Sequence, residues 1–455
     1  MKVTAVIAEY NPIHSGHIKH LEAARKDTDA DFIISVMSGD YVQRGCPAVI
    51  SKYERTKAAL MAGADLVLEL PLPYSTGSLE YFARGAVSLI QKTGIAGCIS
   101  FGSECGDISL LKESAYLTHI SGDGHNDRLR ALLAKGVSYS NAVNSISDLP
   151  ADIEKILKTP NNLLAVSYIK AAQDFSFDCE FHTMKRAGAA YHDDSAGAVS
   201  STAIRKDILN ERDLSRYTGI SISNDTDAPP CPYSFLDGRM SDEIRDSLLD
   251  YLEDAPPLCE DDFSLLLFYK LQSLCEGHDT SEALENLTSY LDVSSALAGR
   301  IINRYVHALS FSGLCDTLKS RDLNRSRINR ALLHILLDIK KAHVDEYVKD
   351  GYNYYIKPLG FRKNASDLLH AIKKEAGIPL ISKNADAAKV LKSHYMTEPC
   401  LNTGETALPS TLTSSERAIR MLNEGIRACD LYNKTACTMC RRPFISEYER
   451  SPVVL

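Results

Sequence analysis

Through residues 3–104 short apolar runs alternate with amphipathic stretches, a rhythm that calls for a parallel sheet joined by helical crossovers. VTAVIAEY (3–10), DFIISVMSG (31–39), LVLELP (66–71) and GCISFGSE (97–104) read as strands. GHIKHLEAARK (16–26), SKYERTKAALMAGA (51–64) and LEYFARGAVSLIQ (79–91) read as the helices between them. Sheets of this kind bind ligands beyond the C-terminal ends of their strands, at the point where strand order reverses. Chemistry is therefore expected from the polar residues that close these runs: Glu9 to Asn11, Ser38 to Asp40 and Gly102 to Glu104.

Residues 107–176 read as mostly helical, with Pro160 in a first helical turn, and CEFHTMKR (179–186) as a last strand. SSTAIRKDILN (200–210) reads as a loop entering a helix, and SISNDTDAPPCP (221–232) as a linker. Beyond it helical spacing dominates through RSRINRALLHILLDIKKA and SSERAIRMLNEGIRACDLYN, with 441–455 extended. The expected architecture is an α/β parallel-sheet domain over 1–220 and a helix-rich domain over 233–455, since 455 residues exceed one comfortable core. No apolar run approaches the roughly 18 residues of a membrane span. The opening MKVTAVIAEYNP carries Glu9 within its apolar start and reads as a strand, not a signal peptide. Twelve cysteines without a secretory signal are expected to be reduced thiols in the cytoplasm, with Cys98, Cys179 and Cys275 as small buried hydrophobes. A zinc at the Cys437/Cys440 pair would need two further ligands, for which only Cys429 and Cys400 are near, and no metal site is assigned. A net charge of −8 argues against nucleic-acid binding by the whole surface, but not by a local basic face.

The strongest local signal is NPIHSGH (11–17), directly after the first strand and opening a helix. A helix start offers free N–H groups and a positive dipole end, where phosphate sits well, and Gly16 lets the backbone come close. His14 and His17 can both donate to phosphate oxygens and stabilise the charge that grows during in-line displacement at an α-phosphate. The second signal, SSTAIR (200–205), stands at another loop-to-helix junction. Ser200, Ser201 and Thr202 suit β- and γ-phosphates, with Arg205 supplying charge.

Together these resemble the HxGH and ISSTxIR signatures of the nucleotidyltransferase superfamily. With VIAEYNPIHSGHIKHL, VMSGDYVQRGCPAVISKYERTKAAL, GADLVLELP, FGSE, TPNNLLAVSYIKA, YHDD, RSRINRALLHILLDI, YIKPLGF and GIRACDLYN in order, the chain resembles the bacterial tRNA(Met) cytidine acetate ligases. The resemblance covers nearly the whole chain, the CxxC and CRRPF tail excepted. It implies a Rossmann-like nucleotidyltransferase domain followed by a helix-rich, tRNA-binding one. It also implies a two-step reaction in the cytoplasm: acetate and ATP give acetyl-adenylate, and N4 of the wobble cytidine of elongator tRNA(Met) then takes the acetyl group. ATP, acetate and that tRNA would be the partners, with no membrane and no DNA. ATP would be a substrate; it usually arrives with Mg2+, for which no carboxylate cluster in the sequence is a clear protein ligand.

Carried over residue by residue, the family's ATP-binding stretch falls on Ile7, Ala8, Glu9, Tyr10, Asn11, Pro12, Ile13, His14, Ser15, Gly16, His17, Ile18, Lys19 and His20. Further nucleotide contacts fall on Gly102, Asn162 and Arg186, joined by Ser201 and Thr202. His14, His17, Asp40 and Arg205 are the expected catalytic set, and Arg44 and Lys52 are given substrate or phosphate roles. His20 leans towards support, and His192 in YHDD suits a turn as well as catalysis. In the basic run 319–330, Arg325, Arg327 and Arg330 are expected to contact tRNA phosphates, against a solvated helical face. Lys357, Arg362, Lys363, Lys373 and Lys374 would extend that basic surface, and His334 is expected in the core. The alternative activity is adenylyl or cytidylyl transfer to a small phosphorylated metabolite, although such enzymes are often much shorter.

Overall fold

The computed structural model describes residues 1–120, 150–186, 200–218, 233–320, 323–396 and 412–455. The proposed linker at 221–232 and His192 lie outside the described residues, as does much of the expected helical stretch after residue 120. The expected strands form at β1 (Val3–Ala8), β2 (Phe32–Ser38), β5 (Leu66–Leu70), β6 (Cys98–Ser103) and β7 (Glu180–Lys185). A short hairpin of β3 (Tyr41–Val42) and β4 (Cys46–Pro47), which the apolar pattern did not signal, is inserted after β2. The main sheet has seven strands in the order β7-β6-β1-β2-β5-β8-β9, where β8 is Pro358–Phe361 and β9 is Val453–Val454. All neighbours run parallel except β5 and β8.

Strand order reverses at β1. The chain first steps outward on one side, to β2 and β5, then returns to place β6 and β7 on the other. The crevice above the C-terminal ends of β1 and β6 is therefore the switch point. Val3, Ala5, Ile34, Val36, Leu66 and Leu68 face one core, while Val6, Ile33, Met37 and Val67 face a second on the opposite side. That alternation explains the mostly apolar runs, because a sheet covered on both faces leaves room only for small, hydrogen-bonded polar residues such as Ser35 and Ser100.

Helix α1 (Ser15–Asp27) begins on His14, whose Nδ1 accepts from the Gly16 N–H at 3.0 Å. Helix α2 (Lys52–Met61) is capped by Ser51 in the same way. Both contribute to the second core, with α5 (Ser201–Thr218) and α6 (Asp242–Asp254). On the other face pack α3 (Leu79–Lys92) and α4 (Pro160–Asp174), chosen by their buried Phe82, Ala86, Ile90 and Val166, Ile169. Helix α7 (Ser264–Cys275), the segments up to residue 320 and α8 (Arg325–Leu337) enclose an all-helical core of their own, including Leu267, Leu297, Leu314 and Leu332. Among the described residues no helix is long and apolar enough to cross a membrane.

The chain does not stay in the helical half after residue 337. It returns to the sheet through β8, then runs through α9 (Ser414–Cys440) to β9. The core on the α3 face accordingly mixes Ile34 and Leu89 with Tyr355, Ile378 and Met421, from both sides of the expected boundary. Gly360 marks how tightly β8 is held: a Cβ there would lie 2.6 Å from Thr56 Cγ2 and 2.8 Å from the Val453 carbonyl. Within residues 441–455, read from sequence as simply extended, a helical turn at Glu447–Glu449 inserts Glu447 fully into the interior.

Candidate active site

The loop between β1 and α1 carries the site. Tyr10 has φ 46° and the Asn11–Pro12 bond is cis, which turns the chain sharply from strand to helix. Tyr10 is anchored by its hydroxyl, 3.1 Å from Ser35 Oγ. Asn11 is held twice: Oδ1 accepts from Val49 N at 2.8 Å, and its carbonyl accepts from Arg205 Nη1 at 2.5 Å. Glu9 accepts from Gln43 N at 3.0 Å through Oε1. Arg55, fully buried, donates to the carbonyls of Glu9 (2.7 Å), Ser38 (3.0 Å), Ile50 (3.1 Å) and Gly39, fastening the ends of β1 and β2 together. Arg55 is a residue that the sequence motifs do not single out. Its only signal was an arginine amid the apolar face of SKYERTKAAL.

His14 and His17 come together, with ring centroids 4.0 Å apart and Tyr10 edge-on to His17 at 5.2 Å. Because His14 Nδ1 accepts from Gly16, its proton resides on Nε2, which is free to donate. Burial, then the charges of Arg186 and Arg205, push His14 down to about 4. Burial likewise holds His17 well below its usual range, aided by His14, Arg186, His20 and Arg205. Both rings are thus neutral donors at neutral pH. His17 Nδ1 and Asn11 Nδ2 are buried atoms without a protein partner, as expected of groups meant for a ligand.

The SSTAIR segment reaches the same place. Ser200 caps α5, with its Oγ accepting from Ala203 N at 3.2 Å; Ser201 Oγ donates to the Pro12 carbonyl at 3.1 Å. Arg205 also donates to Thr202 Oγ1 at 3.1 Å. Two helix N-termini, of α1 and α5, therefore converge on one loop, and their dipoles add to Arg186 and Arg205. On the far side of the crevice Gly102 lies against Arg186: a Cβ at Gly102 would sit 3.3 Å from Arg186 Cγ. Asn162 acts one step back. Its Oδ1 accepts from Glu104 N (2.9 Å) and Cys105 N (3.1 Å), and its Nδ2 donates to Thr159, fixing the turn after β6. Of the carried-over stretch, Ile7 and Ala8 end β1, Pro12 and Ile13 are buried, Ser15, Gly16 and Ile18 lie in the first turn, and Lys19 is exposed. His20 Nε2 is 3.0 Å from Ser100 Oγ.

Not every expected residue stands at the crevice. Asp40 is 4% exposed and accepts from Lys52 N at 2.8 Å, at the start of α2, while its Oδ2 has no protein partner. It borders a small pocket with Glu69, Tyr355 and Cys429, under α9, rather than the histidine pair. Burial raises its carboxyl, with Lys52 and Arg55 opposing. Lys52 Nζ is committed to Glu69 (2.8 Å) and Glu447 (2.7 Å), and Lys357 Nζ to the same two carboxylates at 2.8 and 2.7 Å. Lys357 is thus a buried partner, not part of a basic surface, and Arg362 spends its guanidinium on the Leu60 carbonyl. Arg325 pairs with Asp316 at 2.8 Å while keeping 39% side-chain exposure; Arg330 is partly buried against Asp292 at 2.8 Å, and Arg327 lies partly buried near that carboxylate. His334 is fully buried and bonded to the Leu291 and Thr76 carbonyls, the core role expected of it. Cys437 and Cys440 lie on α9 with thiols directed to the Pro443 and Ala436 carbonyls. No group of three or more metal-ligating side chains gathers among the described residues.

A neutral-donor, cation-flanked crevice at a switch point suits a nucleoside triphosphate. Residues 1–436 match the family model for HIGH Nucleotidyl Transferase. The chain is 34% identical over 408 residues to the tRNA(Met) cytidine acetate ligase of Caldanaerobacter subterraneus subsp. tengcongensis, covering 88% of this chain and 92% of that one. It is 33% identical over 389 residues to the enzyme of the same description from Clostridium novyi, covering 84% and 90%. The crystal structure of Thermotoga maritima TmcAL bound with alpha-thio ATP matches over the full length of both chains, with a TM-score of 0.79 and 27% identity. The apo form of that protein matches with a TM-score of 0.82. The chain belongs to the tRNA(Met) cytidine acetate ligase family of HIGH nucleotidyl transferases.

Proposed function

We propose that this chain is an ATP-dependent ligase that acetylates N4 of the wobble cytidine in elongator tRNA(Met), giving N4-acetylcytidine, in the cytoplasm. The observation that carries the reading is the convergence of the α1 and α5 N-termini on the His14/His17 pair, with Arg186 and Arg205 beside it. In the first step an acetate oxygen attacks the α-phosphorus of ATP, the bond to the bridging oxygen breaks, and pyrophosphate leaves. Charge builds on the α-phosphate oxygens as this happens. His14 Nε2–H and the α1 amides meet that charge as preset neutral donors, which need no reorganisation. Arg205 and the α5 N-terminus hold the departing β- and γ-phosphates. In the second step N4 attacks the acetyl carbon, AMP leaves, and the amine gives up a proton. Any Mg2+ would enter with the triphosphate.

For the tRNA, Arg325 and Arg327 at the start of α8 are the proposed phosphate contacts, and Arg330 supports them from within. The relatives' descriptions and the ATP-analogue complex of the Thermotoga protein support acetate, tRNA and ATP as substrates. The test is incubation with ATP, labelled acetate and unmodified elongator tRNA(Met), followed by nucleoside analysis. Labelled N4-acetylcytidine that is lost in His17→Ala is expected. Pyrophosphate release onto a phosphorylated metabolite, with no label in RNA, would instead favour the metabolite transferase.

A further inference from the structure

One turn beyond His17, His20 begins a chain of side chains that runs beneath the crevice to the protein surface. Its Nε2 lies 3.0 Å from Ser100 Oγ on β6. The same hydroxyl lies 2.9 Å from His182 Nδ1 on β7. His182 Nε2 in turn stands 3.4 Å from Asp27 Oδ2, in the last residue of α1.

One hydroxyl between two imidazoles has a single proton to give, so something outside the pair must decide its direction. A carboxylate only accepts, and Asp27 therefore favours a proton on His182 Nε2. His182 Nδ1 is then a lone pair and takes the Ser100 proton. Ser100 Oγ must in turn accept, which obliges His20 to present Nε2–H and leaves its Nδ1 a bare acceptor. Burial, then His182 and Arg186, push His20 down to about 4, so at neutral pH its tautomer, and not its charge, is what the chain sets.

A bare acceptor nitrogen is of no use to an ionised phosphate, which has no proton to offer. The nucleoside half of ATP offers donors in its ribose hydroxyls and its adenine amine. Ser100 and Gly102 are two apart on β6 and share a face of the sheet, so His20 lies under the same surface that Gly102 opens. His20 also keeps part of its own surface accessible. We propose that Asp27, His182 and Ser100 are positioning residues that hold His20 as the Nε2–H tautomer, so that its Nδ1 accepts a hydrogen bond from the nucleoside of ATP. The histidines of the crevice thereby divide their work: His14 and His17 serve phosphate as donors, and His20 serves the nucleoside as an acceptor. The ligand assignment rests on the ATP reading above; the tautomer assignment does not.

The test labels the histidines with 15N and reads the tautomer of each ring from long-range proton–nitrogen correlations, with His20→Gln identifying the His20 signals. The wild-type protein should show His20 protonated on Nε2. Ser100→Ala, and Asp27→Ala at the surface, should mix or invert that tautomer, and Ser100→Thr, which keeps the hydroxyl, should restore it. Ser100→Ala should weaken ATP binding about five-fold, the usual scale of one hydrogen bond, and leave inorganic tripolyphosphate binding unaltered. His20 protonated on Nδ1 in the wild type would overturn the relay. Equal weakening of ATP and tripolyphosphate would overturn the nucleoside role, since general damage to the crevice does not distinguish them. Wild-type protein that bound tripolyphosphate but not ATP would remove the nucleotide reading itself, with the tautomer still measured independently.

Discussion

His14 has two tasks that substitution can separate. Its Nδ1 caps α1 by accepting from Gly16 N, and its Nε2–H is the donor proposed for the α-phosphate. Losing a capping acceptor costs about 1 kcal/mol of stability. Losing a preset donor to a charge-accumulating transition state costs about a hundredfold or more in rate. His14→Ala removes both, so it should lower the urea midpoint and slow acetate-dependent ATP–pyrophosphate exchange. His14→Asn is the informative variant. Asparagine ranks with the best helix caps, and its short side chain can accept from Gly16 N but cannot place a donor where Nε2 stands. Stability should therefore recover towards the wild-type value while exchange stays about a hundredfold slow. If His14→Asn exchanges at the wild-type rate, His14 is a cap and nothing more, and the catalytic role passes to His17 alone. If His14→Asn is as unstable as His14→Ala, the capping half of the argument is wrong.

Glu447→Gln should cost about 3 kcal/mol or more, because it leaves Lys52 and Lys357 facing Glu69 alone in the interior; a loss below about 1 kcal/mol in denaturant unfolding would place that cluster with weak surface pairs. Acidification should destabilise the fold between pH 6.5 and 4, since His14 sits at about 4 when folded and the unfolded chain binds its proton first. Above that window the contribution is complete, and by pH 5 the loss for His14 alone should be about 2 kcal/mol, read as the difference in unfolding free energy between pH 7 and pH 5 in wild type and His14→Asn. Arg325→Ala should weaken tRNA binding and reduce its salt slope without unfolding the protein, whereas Arg330→Ala should chiefly destabilise it by stranding Asp292. Equal effects of the two on the salt slope would contradict the separate roles given to them.

The parallel sheet was legible because burial on both faces leaves continuous apolar runs, and β1, β2, β5 and β6 fall where those runs are, while the edge strand β7 falls on CEFHTMKR. The meeting of two helix starts was legible for a related reason: NPIHSGH and SSTAIR are local in sequence, and each announces a helix start. What escaped was whatever depends on distant parts of the chain meeting. β8 is four residues long, starts on proline and holds Gly360, so nothing in its own composition marks it as a strand. It exists because β5 offers an open edge. Lys52 and Lys357 look like surface charges until Glu69 and Glu447, the latter 395 residues from Lys52, arrive to neutralise them. Asp40 stands in the expected catalytic set through the SGDYVQRG segment, at the end of the second strand. That position is observed, but its carboxyl turns towards α2 and α9.

The route of the chain through β8 and β9 also bears on how the protein is made. The edge of the sheet that carries the candidate crevice is closed by residues 358–361 and 453–454, and its buried lysines share residue 447 with Glu69. During synthesis the N-terminal strands leave the ribosome long before these partners do. They must wait with the β5 edge unpaired and Lys52 facing Glu69 without Glu447, a state prone to misassociation. The order of translation thus writes the central strands of this sheet well before its edge, and a ribosome that stops short of residue 447 would release the β1–α1 loop on an incomplete sheet.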